Sequence, residues 1–285
     1  MLKHRILFGT LMSIFFAGLM LLDGWLDGSV SGAIADKPVQ ATLFVLLAAG
    51  LMGPAHLELG NLVKQTGVRV IYVATIPISI LLATMPYWTQ WVFKMYSSQI
   101  FILAIPFSLL TLFLIQAIQY GTVDTVRTVS ASFFSIIYLG VFCMFLVWIR
   151  VYWGVWTLLF FVFTIKSSDI GAYTFGRWLG THPLCPAISP GKTWEGLVGA
   201  AAVAAAVSFG FSSFCDIMTG LQAVIFGAVF GVLGQLGDLI ESMIKRDAEA
   251  KDSSSCIPGF GGLLDVMDSP LATAPLAFAV FMWVL

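Results

Sequence analysis

Long apolar runs alternate with short polar segments along most of the chain. A helix that crosses a bilayer takes about 20 mostly apolar residues. Nine runs approach or reach this length, at 6–22, 40–57, 70–88, 98–118, 130–149, 152–165, 196–214, 221–240 and 270–285. The pattern therefore predicts an all-α polytopic membrane protein with about nine transmembrane helices.

The composition excludes several classes of protein. Of the 285 residues, 59% are apolar and 10% are charged, whereas soluble domains average about 45–50% and about 25%. The mean hydropathy is +0.95. These values exclude a soluble globular enzyme and a disordered chain. A net charge of -1 leaves no basic field for nucleic acid, so we expect membrane lipid and no nucleic acid as a partner.

Lysine and arginine residues predict the orientation, because they are enriched in cytoplasmic segments. With nine spans and a cytoplasmic N-terminus, 11 of the 14 lie on the cytoplasmic side. The other three, Lys37, Lys94 and Arg150, lie outside. In this arrangement the polar segments 166–195 and 238–269 face the cytoplasm. We expect an integral protein of the inner cell membrane whose polar segments meet at its cytoplasmic face.

Acidic residues concentrate in the same two segments. Nine of the 15 acidic residues lie there, although the rest of the chain is poor in charge. Ionisable groups at the membrane edge are functional hypotheses by default, because burying each one is costly. A separate group, Asp23, Asp27 and Asp36, falls in the first outside segment. We expect this group to lie in a solvated turn.

The eighth predicted span carries charged residues on the same face as its small residues. Helical steps of three and four residues place five residues on one face: Gly231, Gly234, Asp238, Glu241 and Lys245. The spacing of Gly227 and Gly231 lets a neighbouring backbone approach closely. A Glu241–Lys245 pair at a snorkelling helix end explains two of the charges. Asp238 has no such explanation, and we interpret it as a site residue.

A glycine-rich loop precedes the ninth predicted span. Its turn-forming residues are Pro258, Gly259, Gly261 and Gly262. An ordinary turn explains the glycines alone, but the backbone N–H groups of such a loop can also face an anion. Asp265 and Asp268 follow the loop, and Lys251 and Asp252 precede it. Oxygen donors of this kind suit Mg²⁺ better than Zn²⁺, so the segment predicts a magnesium site.

A third polar string lies between the sixth and seventh spans. Asp169 comes at the inner end of the sixth span, and Ser189, Lys192 and Thr193 come just before the seventh. The positive end of a helix and its free N–H groups favour phosphate. Lys192 taken alone is also explained as a cytoplasmic topology charge. Taken together, the three strings indicate phosphoryl or nucleotidyl transfer to a lipid head group, because such catalysis needs mainly positioning and charge neutralisation.

These strings resemble the phosphatidate cytidylyltransferase family, also called CDP-diacylglycerol synthase. The resemblance rests on Asp169-Ile-Gly171-Ala172-Tyr173, Ser189-Pro190-Gly191-Lys192-Thr193-Trp194-Glu195-Gly196, Ser242-Met-Ile-Lys245-Arg246, Lys251-Asp252, and Pro258-Gly259-Phe260-Gly261-Gly262-Leu-Leu264-Asp265-Val266-Met-Asp268-Ser269. It covers roughly residues 165–270. Residues 1–160 resemble the family only in being membrane spans.

The resemblance implies an all-helical bundle with a polar, metal-containing cavity that opens toward the cytoplasm. Residues 1–150 would form an N-terminal membrane region of about five spans, and residues 151–285 a catalytic membrane region. The implied reaction transfers the cytidylyl group of CTP to phosphatidic acid and gives CDP-diacylglycerol and pyrophosphate. The implied cofactor is Mg²⁺, alone or with a second cation. The oligomeric state stays open, and a homodimer is one possibility.

The resemblance also implies roles for particular residues. The implied metal ligands are Asp238, Asp265, Asp268 and Glu241. The implied catalytic residues are Asp238, Asp265, Lys245 and Lys192. The implied substrate-binding residues are Ser189, Thr193, Glu195, Asp169, Arg246, Lys251, Asp252, Gly261 and Gly262.

Two residues depart from the family pattern. Phe260 stands where the family has His, and Val266 stands where it has Arg. An Arg would supply a fixed phosphate donor, and a His a possible proton carrier. The alternatives are therefore a divergent or inactive paralogue with an altered lipid-phosphate substrate, or an ion-coupled transporter. A transporter would favour mid-span carboxylates or repeated halves, and the sequence has neither.

Overall fold

The computed structural model describes residues 2–31, 39–91, 97–254, 256 and 261–285. Its helices are α1 (Leu2–Asp27), α2 (Thr42–Gln65), α3 (Tyr72–Trp88), α4 (Ser97–Gln119), α5 (Thr125–Ser135), α6 (Phe142–Leu179), α7 (Trp194–Cys215), α8 (Gly220–Asp247) and α9 (Leu264–Val284). A π-helical segment, Ile136–Val141, joins α5 to α6. Strands β1 (Pro183–Cys185) and β2 (Ser189–Thr193) form a small antiparallel hairpin. The predicted all-α membrane class is confirmed.

Seven of the described helical segments are long and apolar enough to cross a membrane. One of them, Thr125–Leu179, has 55 residues, more than twice the length that one crossing needs. Its backbone leaves helical geometry at Gly154, where φ is 81° and ψ is -173°. Tyr72–Trp88 is a shorter apolar helix. Nine crossings would require α3 and both parts of the long segment to span the bilayer, so the number of spans and their orientation stay predictions.

Several helices continue beyond the ends of the predicted spans. Helix α6 runs to Leu179 and α8 to Asp247, so much of the polar segments 166–195 and 238–269 is helical. The apolar pattern stops at the first charged residues, but a helix continues where those residues find partners. Lys166 and Lys245 both lie in these extensions and both pair with carboxylates. The site residues therefore stand mostly on helices.

Small residues bring α7 and α8 into close contact. A Cβ atom added at Gly227 would lie 2.5 Å from the carbonyl oxygen of Ala204. One added at Gly231 would lie 2.8 Å from the carbonyl oxygen of Ala200. Only glycine permits this approach, so the packing predicted from the glycine spacing is confirmed.

A group of aromatic side chains fills the space between α6, α8 and α9. The ring centroid of Phe226 lies 4.2 Å from that of Phe230, 5.1 Å from that of Phe160 and 5.2 Å from that of Phe281. Aromatic pairs at such distances add stabilisation beyond the burial of their area. This core fixes the three helices that carry most of the polar site.

The prediction of a solvated turn after the first span is wrong for Asp23 and Asp27. Both carboxylates are buried, and Nη2 of the fully buried Arg150 lies 2.8 Å from Asp23 Oδ2 and 2.7 Å from Asp27 Oδ2. Backbone N–H groups of Ala41 and Leu43 also donate to these aspartates. Pairing makes burial tolerable, and the partner lies more than 120 residues away in the sequence. Asp36 lies outside the described residues.

Candidate active site

Helices α8 and α9 bring three carboxylates together at one end of the bundle. Single oxygen atoms of Asp238, Glu241 and Asp268 all lie within 4.8 Å of one another. Glu241 and Asp268 are buried, and Asp238 is partly exposed. The first two residues of the group are one helical turn apart on α8, and Asp268 lies in the second turn of α9. All three are among the metal ligands that the sequence predicts.

Two of the predicted lysines contact this carboxylate group. Lys192 Nζ lies 2.9 Å from Asp238 Oδ2 and donates to the Gln235 carbonyl oxygen at 2.7 Å. Lys245 Nζ lies 2.7 Å from Glu241 Oε2 and 2.5 Å from Asp265 Oδ1. Lys192 comes from strand β2 and Lys245 from α8, so residues of the two predicted polar segments meet here.

A third lysine, Lys166, was not among the predicted site residues. Its Nζ lies 3.5 Å from Asp169 Oδ2 and 3.6 Å from Asp268 Oδ1. The Gln235 side-chain amide donates to Asp169 Oδ1 at 2.9 Å, which ties Asp169 to α8. In the sequence, Lys166 is explained as a cytoplasmic topology charge. Its spacing of three residues from Asp169 on one helix is the sequence feature that indicates an ion pair between them.

The charge balance of this group fits a bound divalent cation. Three lysines, Lys166, Lys192 and Lys245, face five carboxylates, Asp169, Asp238, Glu241, Asp265 and Asp268, which leaves two negative charges in excess if all are ionised. Glu241 Oε1 is buried and has no hydrogen-bond partner among the described residues. An uncompensated buried charge is costly. Carboxylate oxygens are also the donors that Mg²⁺ prefers.

Asp265 lies outside the group of three carboxylates. Its Oδ2 accepts hydrogen bonds from the Gly262 N–H at 2.7 Å, the Ser253 N–H at 3.1 Å and the Ser253 hydroxyl at 2.8 Å. Gly261 has φ of +103°, and a Cβ atom there would lie 2.5 Å from Asp265 Oδ2. The sequence predicts that N–H groups of this loop face an anion, and here the anion at the Gly262 N–H is the Asp265 carboxylate. The other oxygen of that carboxylate, Oδ1, contacts Lys245.

The other predicted residues of the third string build the start of α7. Thr193 caps the helix by accepting a hydrogen bond from the Gly196 N–H at 3.1 Å. Glu195 accepts from the Thr181 hydroxyl at 2.8 Å and lies 2.6 Å from His182 Nδ1. Ser189 begins β2 and pairs with the opposite strand. Within this string, Lys192 supplies the contact to the carboxylates.

The remaining predicted residues lie near the end of α8. Arg246 donates to the carbonyl oxygens of Ile188 and Ala250, at 3.1 Å in each case, and so joins α8 to the β hairpin. Lys251 and Asp252 are exposed. Of the two departures from the family pattern, Val266 is partly buried beside Asp265, and Phe260 lies outside the described residues, as do Pro258 and Gly259.

The fold and the site define a polytopic membrane protein with an acidic, lysine-lined site at one end of its helices. Residues 3–284 match the model of the cytidylyltransferase family. The chain belongs to this family. The match extends over the N-terminal helices as well, where the sequence resembles the family only in being membrane spans.

Curated relatives match about half of the chain. A phosphatidate cytidylyltransferase of Haemophilus influenzae is 38% identical over 141 residues, which are 47% of this chain and 48% of that protein. One of Staphylococcus saprophyticus is 41% identical over 143 residues, 50% of this chain and 55% of that protein. An uncharacterized Escherichia coli protein, YnbB, is 39% identical over 125 residues, 44% of this chain and 42% of that protein. The chain thus spans about half the length of the curated relatives it matches.

Proposed function

We propose that the protein transfers the cytidylyl group of CTP to phosphatidic acid and releases pyrophosphate, at the cytoplasmic face of the inner membrane. The observation that carries this proposal is the group of three close carboxylates with lysines at their edge, in a chain of the cytidylyltransferase family. The names of the relatives from Haemophilus and Staphylococcus support the same reaction.

The proposed reaction is a direct displacement. An oxygen of the lipid phosphate attacks the α-phosphorus of CTP, and the bond from that phosphorus to the bridging oxygen of the β-phosphate breaks. Pyrophosphate leaves with the electron pair of this bond, and a new pyrophosphate link joins CMP to the lipid. No covalent intermediate on the protein is required, so the residues act by orienting phosphates and balancing their charge.

The lysines at the rim would contact the phosphates. Lys192 and Lys245 each already lie within 3 Å of carboxylates, and phosphate oxygens would share these ammonium groups when substrates bind. Mg²⁺ held by Asp238, Glu241 and Asp268 would offset charge on the attacking and leaving oxygens. Asp265 would join that set through Oδ1 or hold Lys245 in place, and its other oxygen anchors the glycine loop.

Two residues favour a second candidate, a divergent paralogue that acts on a different lipid phosphate or is inactive. Val266 replaces an expected arginine next to Asp265, and Phe260 replaces an expected histidine. The lost guanidinium would have bound phosphate through two parallel hydrogen bonds. An altered substrate preference or an inactive paralogue would follow from that loss.

Pyrophosphate release tests the proposal. The purified protein, in detergent or nanodiscs, is incubated with CTP, phosphatidic acid and Mg²⁺, with reactions that omit each component as controls. We expect release only when CTP and lipid are both present. Folded protein that releases no pyrophosphate would contradict the proposed substrate pair. The variant with both F260H and V266R then separates the alternatives, since restored release would identify the two departures as the cause.

A further inference from the structure

A buried glutamate on α2, far from the site in sequence, contacts the loop that leads into α9. Glu58 is only 7% exposed. Its two carboxylate oxygens lie within hydrogen-bond distance of four donor groups about 200 positions away. These are the Ser254 hydroxyl at 2.7 Å, the Leu263 N–H at 3.0 Å, the Leu264 N–H at 2.9 Å and, at 3.2 Å, the Ser253 hydroxyl, whose single proton is shared with Asp265 Oδ2.

These bonds cap the start of α9 from another helix. The first N–H groups of any helix lack partners within the helix, and a side chain just before it often supplies the acceptor. Leu263, at the cap position of α9, supplies no such side chain. Glu58 supplies the acceptor instead, and its negative charge suits the positive end of the helix. The place where α9 begins is therefore fixed by a residue of α2.

The same contacts reach Asp265 through Ser253. The Ser253 hydroxyl lies 2.8 Å from Asp265 Oδ2 and 3.2 Å from Glu58 Oε2, so the two carboxylates hold one serine between them. A Cβ atom at Gly262 would lie 2.5 Å from Glu58 Oε2 and clash with Ser253. Glycine at this position therefore leaves room for the Glu58 carboxylate. Asp265 in turn contacts Lys245.

We propose that Glu58 is a positioning residue for the active site. Its carboxylate latches Ser253, Ser254, Leu263 and Leu264 onto α2, and thereby holds Asp265 and Lys245 where the reaction needs them. Glu58 acts through these residues and does not itself touch the substrates. The catalytic part of this inference depends on the proposed function, whereas the latch itself does not.

Hydrogen exchange tests the latch without any substrate. In the E58Q variant an amide NH₂ replaces one acceptor oxygen, so at least one of the two backbone donors, Leu263 or Leu264, loses its partner. We expect exchange at these two N–H groups to rise at least tenfold, because local opening of the helix start becomes easier. Exchange in α8 and in the rest of α2 should stay as in the wild type.

His56 offers a matched control on the same helix. It is fully buried, and it contacts the Met52 carbonyl oxygen at 2.8 Å and Ser79 Oγ at 3.1 Å, but neither of these contacts is to a described residue of the loop. H56Q should disturb the packing of α2 against α3 and leave exchange at Leu263 and Leu264 unchanged. If E58Q and H56Q raise exchange in the same regions, Glu58 is a general structural residue and the latch is refuted.

The catalytic part is tested by separating kcat from KM. We expect E58Q to lower kcat about 30- to 100-fold while KM for CTP changes less than threefold, because misplaced groups slow the chemical step. E58D keeps the charge and should recover part of the loss. S254A removes one of the four donors and should lower kcat only about threefold. It also provides a milder variant if E58Q fails to fold.

The possible outcomes distinguish the latch from the proposed reaction. Increased exchange at the start of α9 with unchanged kcat would refute the positioning role. Unchanged exchange in E58Q would refute the latch itself. A wild-type protein without transferase activity, but with the exchange effect intact, would contradict the proposed function and leave the latch supported.

Discussion

Two groups of buried charge lie in the same helical bundle, and they differ in the number of their carboxylates and in the kind of cation that these carboxylates contact. In the Arg150 group, each of the four oxygens of Asp23 and Asp27 lies within 3.0 Å of a nitrogen atom. Asp23 Oδ2 has only its ion pair to Arg150, and Nε and Nη1 of Arg150 are buried without a hydrogen-bond partner among the described residues. In the group of Asp238, Glu241 and Asp268, Glu241 Oε1 likewise has no hydrogen-bond partner among the described residues, and one oxygen of each of three carboxylates lies within 4.8 Å of the others.

The cations differ as well. Arg150 is buried beneath the surface and bridges two aspartates through a single nitrogen. The lysines of the other group carry compact charges on flexible side chains, which under the proposed function would move from carboxylate to phosphate as substrates bind. Buried charge in a membrane bundle is therefore not by itself a sign of catalysis. Three crowded carboxylates beside lysines are the more informative feature.

Removing Arg150 should produce the largest effect on stability. R150M leaves Asp23 and Asp27 without their cation, and the loss of one partner from a buried ion pair costs about 3–5 kcal/mol. The free energy of unfolding, measured in mixed micelles, should fall by that amount. Activity per folded molecule should stay near the wild-type value. R127M, at an exposed arginine, is the control and should change neither quantity.

Removing a carboxylate from the other group should lower turnover and leave the protein folded. D238N takes away one of the three crowded carboxylates and the partner of Lys192. Turnover should fall about 10²- to 10³-fold, the range found when a single electrostatic contact to the transition state is lost. The protein should remain folded, because Asp238 is partly exposed. D124N, at an exposed position, provides the control. Near-normal turnover in D238N would remove Asp238 from the site.

Mg²⁺ should distinguish the two groups without any substrate. At a concentration 100 times its Kd, a ligand that binds only the folded state adds about 2.7 kcal/mol of stability. Thermal unfolding of the wild type and of R150M should therefore shift upward when Mg²⁺ is added. D268N should lose this shift, because one of the crowded carboxylates is gone. An equal shift in D268N would place the cation elsewhere.

Restoring the missing arginine should give the smallest effect. V266R places a guanidinium beside Asp265, where a charge-assisted hydrogen bond to phosphate adds about 1.5–3 kcal/mol. Side-chain ordering and the partly buried site offset some of this gain, so we expect kcat/KM to rise about three- to tenfold. V266K is the matched control, since lysine adds the positive charge without the planar guanidinium group of arginine. A decrease in both variants would show that the site is adapted to valine.

Features that depend on local spacing could be predicted from the sequence. The helical period places Asp238, Glu241 and Lys245 on one face of α8. In the structure Glu241 lies close to Asp238 and contacts Lys245. The glycine spacing of α8 likewise predicted close packing. Helix ends were less predictable, because the apolar pattern stops where charged residues begin, although α6 and α8 continue.

Features that depend on distant partners could not be predicted. Arg150 pairs with aspartates more than 120 residues earlier, and Glu58 meets donors about 200 residues later. Neither residue has a neighbour in the sequence that signals its partner. A polar residue within an apolar run indicates only that some partner exists, since burying it alone is too costly. The tertiary fold decides which partner that is.

The fate of the α-phosphorus of CTP tests the proposed reaction most directly. Wild-type protein and D238N are each incubated with phosphatidic acid, Mg²⁺ and CTP labelled at the α-phosphate, and the lipid is extracted. The proposed transfer puts the label into a lipid product that runs as CDP-diacylglycerol, in the wild type and not in D238N. Label that stays in water-soluble nucleotides with folded wild-type protein, or equal lipid labelling in both proteins, would contradict it.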